Sequence, residues 1–164
     1  MIANLTSGTT NQTKEVVDSG VIPTLVELLK SSNVEAQVNV IWALGNIAAH
    51  RTHRDSILQT GVLKYFLRIF EDAVSGKDDY FIRKATWALR NLCGGCGVGP
   101  LPAFDEIKDA IRVFAKIIIT QEKTSVLEDA LGSLWKILQE IKDENKIQLV
   151  LKTGVVPRIV ELLK

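Results

Sequence analysis

The sequence predicts an all-α protein, a right-handed α-solenoid of about three to four repeats with three helices in each repeat. Two observations lead to this prediction. Two different motifs, one led by glycine and one led by tryptophan, each recur along the 164 residues at intervals near 45 residues or twice that. The residues between the motifs follow helical periodicity, and no useful length of the chain alternates apolar and polar residues as a half-buried strand does. The chain is therefore expected to be a helical repeat protein.

The glycine-led motif occurs three times, as GVIPTLVELL, GVLKYFLRIF and GVVPRIVELL. Its copies begin at Gly20, Gly61 and Gly154, which lie 41 and 93 residues apart. The longer interval fits two repeats with a degenerate copy between them, around residues 107–118. A glycine can end one helix in the left-handed conformation, and a proline is tolerated in the first turn of the next helix. Each copy therefore predicts a corner between the first and second helices of a repeat.

The tryptophan-led motif follows each glycine motif and predicts the third helix. Its copies begin at Trp42, Trp87 and Trp135, which lie 45 and 48 residues apart. Apolar residues between 34 and 49 recur at steps of three and four residues, which is typical of a long amphipathic helix. Polar turns are predicted before these helices, at residues 31–33, 75–79 and 120–124.

Three helices in about 40–47 residues are typical of the armadillo class of solenoid. We expect all 164 residues to form one solenoid, with a glycine-rich loop at 94–100. Neither end shows the polar cap that solenoid termini normally carry, so we expect a fragment of a longer protein, or self-association through the uncapped ends. The predicted units are a repeat tail at 1–10, repeats at 11–50, 51–93 and 101–142, and an incomplete repeat at 143–164.

Tryptophan and asparagine residues form the strongest functional signal. Residues four apart share a helix face, so Trp42 lies beside Asn46 and Trp87 beside Asn91. An asparagine amide can donate to and accept from the main chain of an extended peptide. Indole faces attract cationic side chains by about 0.5–2 kcal/mol per contact. These pairs predict a peptide groove on the concave face. The alternative is that the tryptophans belong to the core and the asparagines are capping groups.

The motifs WALGNIA, WALRNLC and KTGVVP closely resemble importin-α (karyopherin-α), and the resemblance covers essentially the whole chain. It implies a central armadillo-repeat fragment of a divergent member. Such a fragment would act as a nuclear import adaptor in the cytoplasm and nucleus, binding Lys/Arg-rich nuclear localisation signals in extended form. Importin-β would be a partner of the full-length protein. The alternative is an armadillo interaction scaffold with a degenerate groove and an unrelated partner.

The resemblance also implies further binding residues by position. Gly8 and Thr13 would help to seat the dominant lysine of the signal, and Asn4 would be the asparagine of the preceding pair. Trp135 matches the next tryptophan of the row, and Glu128 matches an acidic position on the same helix.

Four residues depart from the family pattern. His50 stands where an aspartate usually pairs with the dominant lysine, and Gln139 replaces the usual polar partner of Trp135. Lys84 stands where an asparagine is common, and Arg90 stands where the family has a small residue. The cationic replacements add positive charge to a groove that should attract cations. We therefore expect a weakened or altered preference for signals.

Charge and motif content argue against several other classes of protein. Lys and Arg number 20 against 19 for Asp and Glu, and a general nucleic-acid or membrane binder would carry a clear basic excess. No glycine-rich phosphate loop follows a strand, and no nucleophile is placed beside a base. We therefore expect no enzyme and no cofactor.

Cys93 and Cys96 have the Cys-x-x-Cys spacing of redox dithiols and of half zinc sites. A thioredoxin-type motif needs a strand-to-helix context, which the sequence lacks. A structural zinc site needs four ligands, and only a bridge to His50 and His53 in the neighbouring unit could complete one. We expect no metal, and a metal- or redox-responsive domain is the less favoured alternative.

Overall fold

The described part of the computed structural model, residues 2–74, 79–95, 100–140 and 143–164, forms twelve α-helices and no strand. This confirms the all-α prediction. None of these helices is long and apolar enough to cross a membrane. In chain order the helices are α1 (Ile2–Leu5), α2 (Thr10–Asp18), α3 (Val21–Leu28), α4 (Val34–Ala48), α5 (Arg51–Gln59), α6 (Val62–Val74), α7 (Asp79–Leu92), α8 (Phe104–Ile107), α9 (Ala110–Thr120), α10 (Thr124–Glu140), α11 (Glu144–Leu151) and α12 (Val155–Leu162).

The helices fall into groups of three, each with two shorter helices and a long third helix. The groups are α2–α4, α5–α7 and α8–α10, and their third helices contain 15, 14 and 17 residues. The third helices stack in order, so that α4 packs against α1 and α7, and α7 packs against α4 and α10. One continuous apolar core runs between the groups. Successive groups therefore bury their apolar faces on each other, as a solenoid requires.

Polar side chains at the helix starts show why the helices begin where they do. Thr9 accepts a hydrogen bond from the backbone N–H of Gln12, whose side chain accepts one from the backbone N–H of Thr9. This capping box begins α2. The side-chain oxygen of Asn33 accepts a hydrogen bond from the Ala36 N–H at 3.0 Å and begins α4.

Left-handed glycines form the corners before α3, α6 and α12, as the sequence predicts. The φ angle is +77° at Gly20, +70° at Gly61 and +73° at Gly154, a region that residues with a side chain rarely adopt. The degenerate copy expected near 107–118 corresponds to α9. No glycine corner precedes it, since Asp109 before α9 has an ordinary φ of −70°.

Two of the predicted non-helical segments lie partly outside the described residues. Residues 75–78 of the turn before α7 and residues 96–99 of the glycine-rich loop are not described. Both flanks of that loop are anchored. Lys136 donates to the Gly94 carbonyl at 2.6 Å, and the buried Arg54 donates to the Pro100 carbonyl at 3.4 Å. These bonds connect the region after α7 to α10 and α5.

The third helices α4 and α7 approach each other closely at Gly45 of α4. A Cβ atom placed there would lie 2.7 Å from the Ala88 Cβ and 2.8 Å from a ring carbon of Trp87. Real Cβ contacts are essentially never this short. Glycine at this position therefore allows α4 and α7 to pack closely.

We expect Gly45→Ala to lower the free energy of unfolding by about 1–3 kcal/mol, because the added methyl group must push α4 away from α7. Gly132→Ala is the matched control, since a Cβ at Gly132 in α10 would meet nothing within 4 Å. Alanine is favoured over glycine in a helix interior by roughly 0.5–1 kcal/mol, so this variant should be slightly stabilised. Urea unfolding followed by circular dichroism measures both. Equal stability of Gly45→Ala and the parent would contradict the close packing.

Candidate peptide-binding groove

A groove lies along the third helices and brings together three of the predicted binding residues. Its cavity has a volume of about 390 Å³. Trp42 and Asn46 of α4 and Trp87 of α7 line it together, as the predicted row requires. The remaining lining residues are Ser7, Arg83, Lys84, Ser125 and Asp129. A larger cavity of about 580 Å³ beside α5, α6, α8 and α9 contains none of the predicted binding residues.

Two of the three tryptophans contact both the apolar core and the groove. Trp42 and Trp87 are half-buried and pack against the apolar core, and both also line the cavity. The two interpretations of the sequence are therefore compatible at these positions. Trp135 differs, because 62% of it is exposed and it does not line this cavity.

The asparagine amides form hydrogen bonds between successive third helices. Asn46 donates to the Ala3 carbonyl at 3.0 Å, and Asn91 donates to the Gly45 carbonyl at 3.0 Å. Each acceptor lies one residue before the asparagine of the preceding repeat, so the two bonds repeat one register. Both asparagines lie in the last turn of their helices.

Asn46 and Asn91 differ in their access to the groove. Asn46 is half-buried and lines the cavity, and its amide also lies 3.3 Å from the Thr6 hydroxyl oxygen. Asn91 is 2% exposed and does not line the cavity, and no described residue is a partner of its side-chain oxygen. The structure therefore does not bring Asn91 to the groove surface. Its amide holds α7 against α4.

Lys84 occupies the face of the Trp42 indole ring. Its Nζ lies 3.5 Å from the ring centroid and 5.6 Å from the centroid of Tyr80. Burial, together with the positive charge of Arg83, lowers the pKa of Lys84 below its ordinary value. The sequence marks Lys84 only as a departure from the family pattern. Lys84 lies three residues before Trp87, one turn earlier on the same face of α7. This spacing was the sequence signal that Lys84 faces the groove.

The acidic group in the groove is Asp129, one residue after the predicted Glu128. Asp129 lines the cavity and forms an ion pair with Arg90 at 2.5 Å. The Asp129 side chain is 14% exposed and the Arg90 side chain 32%, so the pair is partly shielded from water. Glu128 is exposed and does not line the cavity. The carboxylate available to an incoming cation is thus already paired within the chain.

The predicted residues near the start of the chain shape the turn between α1 and α2. The buried Thr13 donates its hydroxyl to the Thr6 carbonyl at 3.4 Å. A Cβ on Gly8 would lie 2.4 Å from the side-chain oxygen of Gln12, so a larger residue there would displace this side chain from the capping box. Asn4 is exposed, and its carbonyl accepts a hydrogen bond from the Ser7 hydroxyl at 2.9 Å. None of the three predicted residues lines the cavity.

His50 and Cys93, the other groups singled out in the sequence, also lie outside the cavity. His50 precedes α5, and its ring centroid is 6.3 Å from that of His53. Burial raises the pKa of the Cys93 thiol to about 12, although the charge of Arg54 partly opposes this. Cys96 lies outside the described residues. Among the residues that are described, no three metal-binding side chains cluster.

The chain is similar to armadillo-repeat proteins in sequence. Residues 9–49 match the Armadillo/beta-catenin-like repeat family. Importin subunit alpha-1b of Oryza sativa subsp. japonica is 37% identical over 163 residues, which cover 99% of this chain and 29% of that protein. Importin subunit alpha-1 of Schizosaccharomyces pombe is 39% identical over 92% of this chain and 34% of that protein. The chain thus spans only about a third of the length of these curated relatives.

Solved structures show the same fold. A computationally designed armadillo repeat protein for modular peptide recognition matches with a TM-score of 0.81 and 21% identity, over 99% of this chain and 65% of the other. A designed armadillo repeat protein in complex with the peptide (KR)4 matches with a TM-score of 0.76 and 22% identity, over 98% and 64%. These similarities confirm the predicted armadillo solenoid.

Asn91→Ala tests the structural role of the asparagine amide. We expect it to lower the free energy of unfolding by roughly 0.5–1.5 kcal/mol, because the bond between α7 and α4 is lost while the buried Gly45 carbonyl keeps the Ala49 N–H as a donor. The exposed Asn11 in α2 provides the control, and Asn11→Ala should change stability by less than about 0.5 kcal/mol. Thermal and urea unfolding measure both variants. An unchanged stability of Asn91→Ala would show that the bond to Gly45 is not formed.

Cys93 is expected to resist alkylation while the protein is folded. Only a thiolate reacts, and a pKa of about 12 leaves almost none at pH 8. Iodoacetamide labelling followed by fragment-ion mass spectrometry distinguishes Cys93 from Cys96. Labelling of Cys93 should increase as the pH rises towards 12, and it should become rapid at pH 8 in urea. Rapid labelling in the native state at pH 8 would contradict its burial and favour a redox role.

Proposed function

Because the chain is an armadillo-repeat solenoid whose curated relatives are importin-α subunits, we propose that it binds extended Lys/Arg-rich peptides along the groove of its third helices. The proposed ligands are nuclear localisation signals of cargo proteins. The single observation that carries the proposal is the meeting of Trp42, Asn46 and Trp87 on one cavity. Two aromatic side chains and an amide on one cavity suit a peptide with long cationic side chains.

The groove chemistry supports binding through the stems and charges of the peptide side chains. An indole face attracts an ammonium or guanidinium group by about 0.5–2 kcal/mol, more when water is excluded. The half-buried positions of Trp42 and Trp87 limit the movement of their rings, which reduces the entropy lost on binding. The designed protein that carries the (KR)4 peptide shares this fold, which supports the choice of ligand class.

The adaptor role is part of the same proposal. The importin-α relatives suggest a chain that moves between cytoplasm and nucleus and acts by binding, with no chemical step. In the full-length protein, importin-β would be the second partner. The resemblance to importin-α implies binding roles for Asn4, Gly8, Thr13, His50 and Glu128 as well, and these residues lie outside the groove cavity.

Internal ion pairing favours a second candidate function. Asp129 is already paired with Arg90, and Lys84 already covers the ring of Trp42. A groove whose acid and indole are both occupied is a poorer site for cations. The second candidate is therefore an armadillo scaffold that binds an unrelated partner elsewhere on its surface.

Fluorescence anisotropy with a labelled (KR)4 peptide distinguishes the two functions. We expect saturable binding by the parent protein, and about tenfold weaker binding by Trp42→Leu and by Trp87→Leu, since each loses an aromatic wall. Tyr65→Leu is the matched control. Tyr65 has Lys30 and Lys64 over its ring, yet it lies on α6 outside the groove cavity.

The control should bind the peptide as well as the parent does. Circular dichroism confirms that each variant is folded. Equal losses in all three variants, or no saturable binding by the parent or by any groove variant, would favour the scaffold function.

A further inference from the structure

The position of Lys84 makes it an internal ligand of the groove. The residue belongs to α7, whereas the indole that it covers belongs to α4 of the preceding repeat. The Nζ–centroid distance of 3.5 Å places the ammonium directly against the ring. A peptide lysine bound at Trp42 would need this same ring face.

The partners that the structure gives the Lys84 ammonium are aromatic rings. Within the described part of the chain, no carboxylate forms an ion pair with Lys84, and the groove acid Asp129 is paired with Arg90. The lowered pKa of Lys84 agrees with an ammonium that burial and a neighbouring cation both destabilise. Trp42 is the closest aromatic partner, and Tyr80 is more distant.

We propose that Lys84 is a built-in competitor that holds the Trp42 subsite until a peptide side chain displaces it. The inference rests on the proposed function and specifies how that groove is regulated. Lys84 is attached to the groove and needs no encounter, whereas a free peptide must first find the site. An occupant present for nine-tenths of the time would weaken the apparent affinity of a lysine at this subsite about tenfold.

The same geometry sets the selectivity of this part of the groove. A peptide lysine that approaches Trp42 meets the like charges of Lys84 and Arg83, both of which line the cavity. Like charges at close range oppose binding of a cation. A neutral or acidic peptide residue at this position would leave Lys84 on the ring. A basic residue at the Trp42 subsite therefore binds more weakly than it would without Lys84.

NMR of the free protein tests the occupied state directly. Protons above an indole face are shielded by the ring, so the Lys84 CεH2 resonance should lie upfield of the other lysines. Lys84→Met identifies the resonance by its loss, and Trp42→Leu should return it to the ordinary lysine position. Titration with (KR)4 should then shift the resonance downfield as the peptide displaces the side chain. An unshielded Lys84 in the free protein, or one that stays shielded at peptide saturation, overturns the proposal.

Affinity measurements test the competition. Methionine keeps an unbranched apolar stem without the charge, and Lys84→Met should bind (KR)4 about 3- to 30-fold more tightly than the parent. Arg83→Met is the matched control, because it removes the same charge from the same cavity without vacating the indole. Arg83→Met should bind (KR)4 less than about threefold more tightly than the parent does. In a double-mutant cycle, Trp42→Leu should abolish most of the gain from Lys84→Met.

The outcomes separate this inference from the proposed function. Equal gains in Lys84→Met and Arg83→Met would show a general charge effect and overturn the competitor role. Equal binding by the parent and Lys84→Met would also overturn it, while peptide binding itself stands. Binding by Lys84→Met alone supports both proposals. If neither protein binds the peptide although Lys84 is shielded, the proposed function fails and the competition fails with it.

Discussion

The close approach of α4 to α7 at Gly45 is the constraint on which both the solenoid and its groove depend. A side chain at Gly45 would overlap Ala88 and Trp87, so any larger residue would move the two helices apart. At the observed separation, Asn91 reaches the Gly45 carbonyl. The same separation brings α7 close enough for Lys84 to cover the ring of Trp42. The close packing at Gly45 therefore accompanies both the Asn91 bond and the stacking of Lys84 on Trp42.

The asparagines show how one residue type can serve both packing and recognition in a repeat protein. Asn46 and Asn91 bond to the preceding third helix in the same register, and this regularity stabilises the stacking of repeats. The pattern ends in the third repeat, where Gln139 takes the equivalent position and the Arg90 carbonyl accepts from the Gly95 N–H instead. A row of asparagines in the sequence is thus evidence for a regular solenoid, and only those that reach the surface add to a peptide site.

Local features of the sequence were sufficient to predict the fold. Helical periodicity and the two repeated motifs depend only on residues close in the chain, and the corners at Gly20, Gly61 and Gly154 follow from the conformational freedom of glycine. The sequence also predicted that Trp42 and Trp87 face one groove, because equivalent positions in stacked repeats lie in a row, and the two residues line one cavity. For the same reason, the sequence by itself determined the position of the candidate groove on the third helices.

The tertiary structure decided which polar groups are free to act in that groove. Three features depend on distances between helices about 40 residues apart. These are the burial of Asn91, the position of Asp129 rather than Glu128 in the groove, and the stacking of Lys84 on Trp42. Such distances come from the packing of the core, which no local pattern encodes. A side chain on a predicted helix face can point to solvent, to a ligand or to the neighbouring repeat. Only the separation of the packed helices selects among these, because hydrogen bonds and cation–π contacts form within a few ångströms.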